Sequence, residues 1–179
     1  MKVFKNELKS ALSGVTKDKT RYTMDGIRIE EDKIVSTDGR ILVLLDRLYP
    51  HYEDFEFEPF IIPFKTVKEL VRSRGNYEIS FKKMCTTIEA RYNDMTLEFI
   101  PLEGSFPPYK DVIPTKEEFI IGLGVELLTK LLKSAKEYKI ETIRFGFTTN
   151  KEAVLLTGED GDEFCKNWSS VIMPVNLKN

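Results

Sequence analysis

The sequence VIMPVNL, residues 171–177, closes the last of three similar segments in this 179-residue chain. By itself it predicts an apolar strand that stops at a proline, since proline cannot donate a hydrogen bond to a sheet ladder. Two earlier phrases extend its meaning: STDGR at residues 36–40 and GSFPPYKDVIP at residues 104–114. The order and spacing of the three phrases, and not any one of them alone, point to a particular fold.

The composition is that of an ordinary globular protein of one or two domains. Hydrophobic residues make up 41% of the chain and charged residues 31%, which are common values for such proteins. No stretch approaches the roughly 18 apolar residues of a membrane helix. No basic-then-apolar leader opens the chain. We therefore expect a cytoplasmic protein without membrane contact.

Cysteine and histidine are scarce in this sequence. Cys85 and Cys165 are the two cysteines, and His51 is the single histidine. Without a leader, the cysteines are expected to be thiols in a reducing compartment rather than a disulfide. The three residues are too few to build a metal site. We expect no metal and no cofactor.

The hydrophobic pattern repeats three times as a short strand, a helix and three strands. In the first repeat, Leu8, Ala11 and Leu12 recur at i, i+3 and i+4, which predicts one apolar helix face. Asp38 and Gly39 separate two β-like runs, and this dipeptide is a strong hairpin signal. Strands are predicted at residues 1–4, 26–30, 33–37, 41–45, 60–62, 77–81, 87–92, 95–101, 119–121, 142–147, 153–157 and 169–175.

The predicted fold class is α+β, with three repeated β-α-β-β-β units and antiparallel sheets. Each helix would cover one sheet face and bury one apolar stripe. Residues 1–114 are predicted to form one complete domain from two units, 1–58 and 59–114. Residues 115–179 are predicted to form half of such a domain.

Charge is distributed unevenly along the chain, which has 27 Lys and Arg against 29 Asp and Glu. Cations outnumber anions on the polar faces of the three predicted helices, as a DNA-facing layer requires, because phosphates attract Lys and Arg without regard to sequence. An ordinary solvated helix face is the alternative. The candidate DNA-binding residues are Lys5, Lys9, Lys17, Arg21, Tyr22, Lys65, Lys68, Arg72, Lys130, Lys133 and Lys136.

Taken together, the phrases resemble the bacterial DNA polymerase III beta subunit, the sliding clamp. RYTMDG at residues 21–26 is similar to the family's Arg-Tyr-Tyr-Leu-Asn-Gly phrase, and VSTDGR at residues 35–40 to its Ala-Thr-Asp-Gly-His-Arg phrase. Residues 1–114 look like the family's middle domain, and residues 117–177 look like half of its last domain. The resemblance implies the DNA-clamp (processivity) fold. It also implies a protein that does no chemistry but encircles DNA and holds partner proteins by a short peptide.

The resemblance further implies a pocket for that peptide between the middle and last domains. The implied pocket residues are Met24, Thr37, Gly39, Arg40, Leu42, Pro63, Val67, Val171, Ile172, Met173, Pro174 and Val175. Such a pocket buries a partner's Leu or Phe anchors, at about 25 cal/mol per Å² of apolar area. Without the resemblance, Met24 and Met173 are more often core than pocket residues, and the residues around Gly39 are typical of a plain hairpin turn.

The chain departs from the family in two ways. One residue is missing after Gly39, so that Arg40 stands for either the His or the Arg of the family's phrase. The family's protomer has six half-domain units, and this chain has three. An odd unit has an unpaired sheet edge, and exposed edges invite pairing. We therefore expect a homo-oligomer in which two chains pair their odd units. Four chains would supply the twelve units of a family ring.

Two functions of different classes follow. The first is a processivity factor that binds duplex DNA non-specifically and tethers a DNA polymerase or another protein carrying a clamp-binding peptide. The second is a non-encircling adaptor or decoy that competes with a full-length clamp for partners. An enzyme is not favoured, because the sequence shows no metal-ligand cluster, no phosphate-binding glycine loop and no nucleophile motif.

Overall fold

A computed structural model describes residues 1–16, 22–47, 58–159 and 168–177 of the chain. The chain divides into two compact units, Met1–Ile113 (unit 1) and Pro114–Asn179 (unit 2). The sequence placed this boundary one residue later. Helices pack on antiparallel sheets in each unit, which confirms the α+β fold class.

Unit 1 consists of two halves, each with a strand, a helix and three further strands. The first half contains β1 (Lys2–Phe4), α1 (Lys5–Ala11), β2 (Gly26–Ile29), β3 (Lys33–Thr37) and β4 (Leu42–Asp46). The second half contains β5 (Phe60–Pro63), α2 (Phe64–Leu70), β6 (Glu78–Lys83), β7 (Ile88–Tyr92) and β8 (Met95–Phe99). The sheet orders are β1-β6-β7-β8 and β4-β3-β2-β5. The two halves therefore exchange their first strands.

One hydrophobic core joins the two halves of unit 1. Leu8 and Ala11 of α1 are fully buried in the same core as Val67 and Leu70 of α2. The i, i+3 spacing in each helix places both apolar side chains on the face that packs inward. At the start of α1, the Glu7 carboxylate accepts a hydrogen bond of 2.5 Å from the Phe4 N–H, which satisfies one of the free donors at that helix end.

The described residues of unit 2 form one helix and one sheet. The helix is α3 (Val125–Glu137), and the strands are β9 (Ile143–Gly146), β10 (Val154–Gly158) and β11 (Ser169–Ile172). The sheet order is β11-β10-β9, with both pairings antiparallel. Its core contains Ala135, Val154, Leu156, Trp168 and Ile172.

Residues 119–121 do not form the strand that the sequence predicts. The nearby backbone makes only an isolated bridge, between Leu123 and Pro174. The physical reason lies in the strand exchange of unit 1, where the first strand of each half pairs with the sheet of the other half. The described residues of unit 2 form one half, so they do not include the sheet of another half that would receive this strand.

Unit 2 repeats the second half of unit 1 closely enough to align residues. The Leu102 N–H donates to the Ile61 carbonyl at 3.0 Å, and the Val175 N–H donates to the Gly122 carbonyl at 2.9 Å. A proline precedes each donor, so Ile100 corresponds to Met173. The strand registers extend the alignment as follows: Ile62 to Leu123, Leu70 to Leu131, Ile79 to Ile143, Phe81 to Phe145, Glu89 to Leu155 and Glu98 to Val171.

The segment that ends unit 1 covers the outer face of the sheet β4-β3-β2-β5. Phe106 and Tyr109 are buried there in a small apolar cluster with residues of β3 and β5. The Tyr109 hydroxyl donates to Glu30 Oε2 at 2.8 Å, and Arg28 Nε donates to Glu30 Oε1 at 2.6 Å. The Glu30 carboxylate thus anchors this segment to the sheet.

We expect Tyr109→Phe to lower the free energy of unfolding by roughly 1–3 kcal/mol at pH 7, because the variant loses a partly buried hydrogen bond to a charged group. Burial, the hydrogen bond to Glu30 and the Glu30 charge raise the pKa of Tyr109 from 10.0 to about 12. The raised pKa stabilises the fold below pH 10, and this stabilisation disappears as the pH rises toward 12. Urea unfolding of the wild-type protein and of Tyr109→Phe across this pH range should show the difference between their free energies of unfolding becoming smaller. A constant difference would contradict the assignment.

Candidate functional site

Lysine and arginine side chains cover the solvent-facing sides of the helices. Lys9 on α1 is exposed, and so are Lys65 and Lys68 on α2 and Arg72 just beyond it. In unit 1 the two helices contact each other, so these four cations belong to one helical layer. In unit 2, the exposed cations of α3 are Lys130, Lys133 and Lys136.

These helix cations differ from the strand cations in their ion pairing. Lys2 pairs with Glu78 at 2.8 Å, and Arg91 pairs with Glu89 at 2.7 Å. Lys33 lies 2.7 Å from Asp46. By contrast, none of the seven helix cations just named makes a salt bridge with an acidic residue in the described part of the chain. These seven cations therefore keep their positive charge available for an external anion.

Two other predicted DNA-binding residues, Lys5 and Tyr22, have different surroundings. Lys5 donates hydrogen bonds to the carbonyls of Ser73 and, at 2.7 Å, Gly75, so it holds the end of α2. Tyr22 is exposed in a short 3-10 turn. Lys17 and Arg21 lie outside the described residues.

The turn after β3 is held by its own side chains. The Thr37 hydroxyl donates to the Ile41 carbonyl at 2.7 Å and accepts from the Gly39 N–H at 3.0 Å. Asp38 Oδ1 accepts from the N–H groups of Arg40 (2.8 Å) and Ile41 (2.9 Å). The hydrogen bonds from Ile41 and Arg40 hold the pKa of Asp38 below its ordinary value. Gly39 has a φ of +87°, which glycine adopts readily. This fixed turn presents Arg40 to solvent.

The other predicted pocket residues of unit 1 range from partly exposed to fully buried. Met24 lies at the end of the 3-10 turn, and Pro63 lies where β5 meets α2; both are partly buried. Leu42 packs against the apolar cluster around Phe106. Val67 is 0% exposed within the core, so it supports this region from beneath and offers no surface.

The end of unit 2 presents apolar side chains on the outer face of the sheet. Val171 is 59% exposed and Met173 is 61% exposed, and Leu155 pairs directly with Val171. We call Leu155, Val171 and Met173 the apolar strip. Pro174 is partly buried and Val175 is exposed beyond it. Ile172 points to the other face and is buried in the core, so it does not belong to this surface.

Two candidate residues were missed by the sequence analysis. Leu155 is exposed between buried Val154 and Leu156, so an apolar residue occupies a position where a strand with one solvent-facing side is expected to carry a polar one. That apolar run was the available signal. Ile41 is exposed at the end of the turn after β3, and no pattern in the sequence marked it.

Other types of site have little support in the described residues. They contain no group of three His, Cys, Asp or Glu side chains that could hold a metal ion. None of their helices combines the length and apolar character needed to span a bilayer. A cavity of about 560 Å³ in unit 1 is lined by Phe60, Phe81 and Ile88 among others, but by none of the predicted pocket residues.

Solved bacterial sliding clamps share this architecture. The Caulobacter crescentus beta sliding clamp matches 97% of the chain with a TM-score of 0.77 and 20% identity. The Helicobacter pylori beta clamp bound to a DNA ligase peptide matches 97% with a TM-score of 0.75 and 16% identity. The Bartonella birtlesii clamp bound to griselimycin matches 99% with a TM-score of 0.74 and 16% identity. The chain therefore has the sliding-clamp fold.

The matches cover 50–52% of each of these three clamps, so the chain spans about half their length. No protein-family model matches the sequence. A search of curated proteins likewise gives no significant match.

Proposed function

We propose that this protein is a sliding-clamp-like processivity factor that binds duplex DNA non-specifically and tethers a DNA polymerase or another partner by a short peptide. The observation that carries the proposal is the unpaired positive charge of the helical layer on a sliding-clamp fold. A cation that already pairs with a carboxylate gains little binding free energy from a phosphate. The helix cations pair with no carboxylate among the described residues, so a phosphate contact contributes more to their binding free energy.

The proposed DNA contact involves no base recognition. Lysine and arginine side chains on helix surfaces can reach phosphates, but the helical layer shows no groove-reading element. Sequence-independent binding is what a protein that moves along DNA needs.

We expect wild-type protein to bind two duplexes of unrelated sequence with the same affinity. Contact of the four unit 1 cations with phosphates would give a slope of about −3 to −4 in log affinity against log salt, or about a hundredfold loss between 50 and 200 mM salt. Fluorescence anisotropy with labelled duplexes measures both quantities. No binding at 50 mM salt and tens of micromolar protein would contradict the proposal, as would binding that salt does not weaken.

The apolar strip supports the peptide-tethering part of the proposal. Exposed Val171 and Met173 can bury a partner's leucine or phenylalanine, and a methionine side chain adapts to different partners. The H. pylori clamp that this fold resembles is bound to a DNA ligase peptide. We propose the same class of ligand for this chain, with the apolar strip of unit 2 as its binding surface.

A second candidate function is a non-encircling adaptor or decoy. It is favoured by the coverage, because the chain spans about half of a clamp and the resemblance assigns its pieces to the domains that build the peptide pocket. Such a protein would bind the peptide and compete with a full-length clamp, but it would not bind the duplexes. The anisotropy titration therefore separates the two candidates.

Both candidate functions are non-enzymatic binding roles. The structures that the chain resembles are sliding clamps, and we propose no catalytic activity for it. We propose a cytoplasmic location, in keeping with duplex DNA as the proposed partner.

A further inference from the structure

Unit 1 shows how two halves of this fold complete each other. Val3 of β1 lies opposite Ile79 of β6, and Ile62 of β5 lies opposite Ile27 of β2. Both Val3 and Ile62 stand two residues before the helix of their own half. The two pairings are therefore equivalent, and the halves exchange first strands reciprocally. Leu123 stands at the same place before α3 in unit 2.

The core of unit 2 is less covered than the equivalent core of unit 1. Phe81 is 6% exposed in unit 1, whereas its equivalent Phe145 is 36% exposed. Leu70 of α2 is fully buried, whereas its equivalent Leu131 of α3 is half-buried. Leu132, the next residue of α3, is 42% exposed. The surface that the first half covers in unit 1 is open in unit 2.

The backbone of β9 has an open edge on the same side. In unit 1, the Phe81 N–H donates to the Met1 carbonyl at 2.7 Å, across the edge of β6 that receives β1. The equivalent edge of β9, at Ile143 and Phe145, pairs with no strand in the part of the chain that the structure describes. Unpaired edges of this kind recruit strands.

We propose that two copies of the chain associate through their units 2, each supplying the half that the other lacks. Residues 121–124 of one copy pair antiparallel with β9 of the other, with Leu123 opposite Ile143, and the second copy does the same in return. Phe145 and Leu132 of both copies are then buried in one shared core. A complete clamp-type domain results from two identical halves.

A second copy of the chain is the partner that fits this surface, because the two halves of unit 1 already pair by exchanging their first strands. The open edge and the unpaired segment lie on the same unit, so the surface is complementary to itself. Such an isologous contact closes at two copies. The pairing needs no segment beyond the described residues of unit 2.

Mass in solution tests the proposal with a matched pair of variants. By multi-angle light scattering at tens of micromolar, we expect wild-type protein, with a chain of 20.7 kDa, to have the mass of two chains or a multiple of it. Phe145→Asp should halve that mass, because it places a charge in the shared core. Leu155→Glu should leave it unchanged, since Leu155 lies on the outer face, where the equivalent residue in unit 1 is Glu89. Wild-type protein of one-chain mass, or an unchanged mass for Phe145→Asp, would overturn the proposal.

A cross-link provides a test that does not depend on the folding of Phe145→Asp. Phe4 and Glu78 lie opposite each other in unit 1, and the equivalent positions are Gly124 and Thr142. A Cβ at Gly124 would meet no atom closer than 3.6 Å. In a Cys85→Ser, Cys165→Ser background, oxidised Gly124→Cys, Thr142→Cys protein should run as a covalent dimer on a non-reducing gel, and either single variant should not. Absence of that dimer would contradict the proposed register.

Discussion

Duplex DNA binding is expected to fall at least a hundredfold at 150 mM salt when Lys65, Lys68 and Arg72 are all replaced by Glu. Each replacement removes a phosphate contact and adds a repulsive charge. Loss of three contacts should also reduce the slope of log affinity against log salt by about 2.7. All three residues are exposed on or beside α2 and make no salt bridge with a described acidic residue. The fold should therefore survive, and anisotropy with a labelled duplex measures the loss.

A matched control separates position from net charge. Lys2, Lys82 and Arg91 lie on the outer face of the sheet β1-β6-β7-β8, away from its core face. Their replacement by Glu changes the net charge by the same amount. We expect this triple variant to keep most of the DNA affinity. An equal loss in both triple variants would show that the helical layer has no special role.

Binding of a Gln-x-x-Leu-Phe peptide is expected to weaken at least tenfold in Met173→Asp. The side chain is 61% exposed, so a charge there should cost little folding free energy. A buried anchor of the peptide would instead meet an unpaired carboxylate, which is strongly unfavourable. Fluorescence polarisation of a labelled peptide measures the change, and DNA binding by the same variant should be unaffected.

The repeat supplies the control for this variant. Ile100 occupies the same place in unit 1, is 67% exposed and also precedes a proline. Ile100→Asp should bind the peptide like the wild-type protein. If both variants weaken the peptide equally, the apolar strip is not its binding site.

Local patterns in the sequence were sufficient to predict the elements of each repeat. Helix periodicity placed Leu8 and Ala11 on a buried face, and Asp38 with Gly39 marked a turn that the structure forms. These features depend on residues close together in the chain, so a single repeat has all the information they need.

Local patterns in the sequence do not predict which strands of different repeats pair with each other. Residues 119–121 have the composition of a strand, but in unit 1 the first strand of each half pairs with the sheet of the other half, and the described residues of unit 2 form one half only. Likewise, the phrase comparison grouped Ile172 with Val171 and Met173, although alternate residues of a strand face opposite sides. The pairing of strand cations with carboxylates, such as Lys2 with Glu78, depends on contacts between strands that are distant in sequence.

Strand exchange between unit 2 of one chain and unit 2 of another would also determine how many chains a closed ring needs. Two chains joined in this way hold six repeats, half of the twelve that the resemblance implies for a ring. Closure around DNA would then require a second contact between such dimers. Light scattering over a range of concentrations should reveal a four-chain species if that contact forms.

The most direct test of a tether is whether one protein molecule holds DNA and peptide together. A labelled Gln-x-x-Leu-Phe peptide would be passed over beads carrying duplex DNA, with and without the protein, at 50 mM salt. We expect the peptide to stay on the beads only when the protein is present, and to be lost with the Lys65, Lys68, Arg72 triple variant and with Met173→Asp. Peptide that binds the free protein but never remains on the DNA beads would contradict the clamp account and favour the adaptor or decoy.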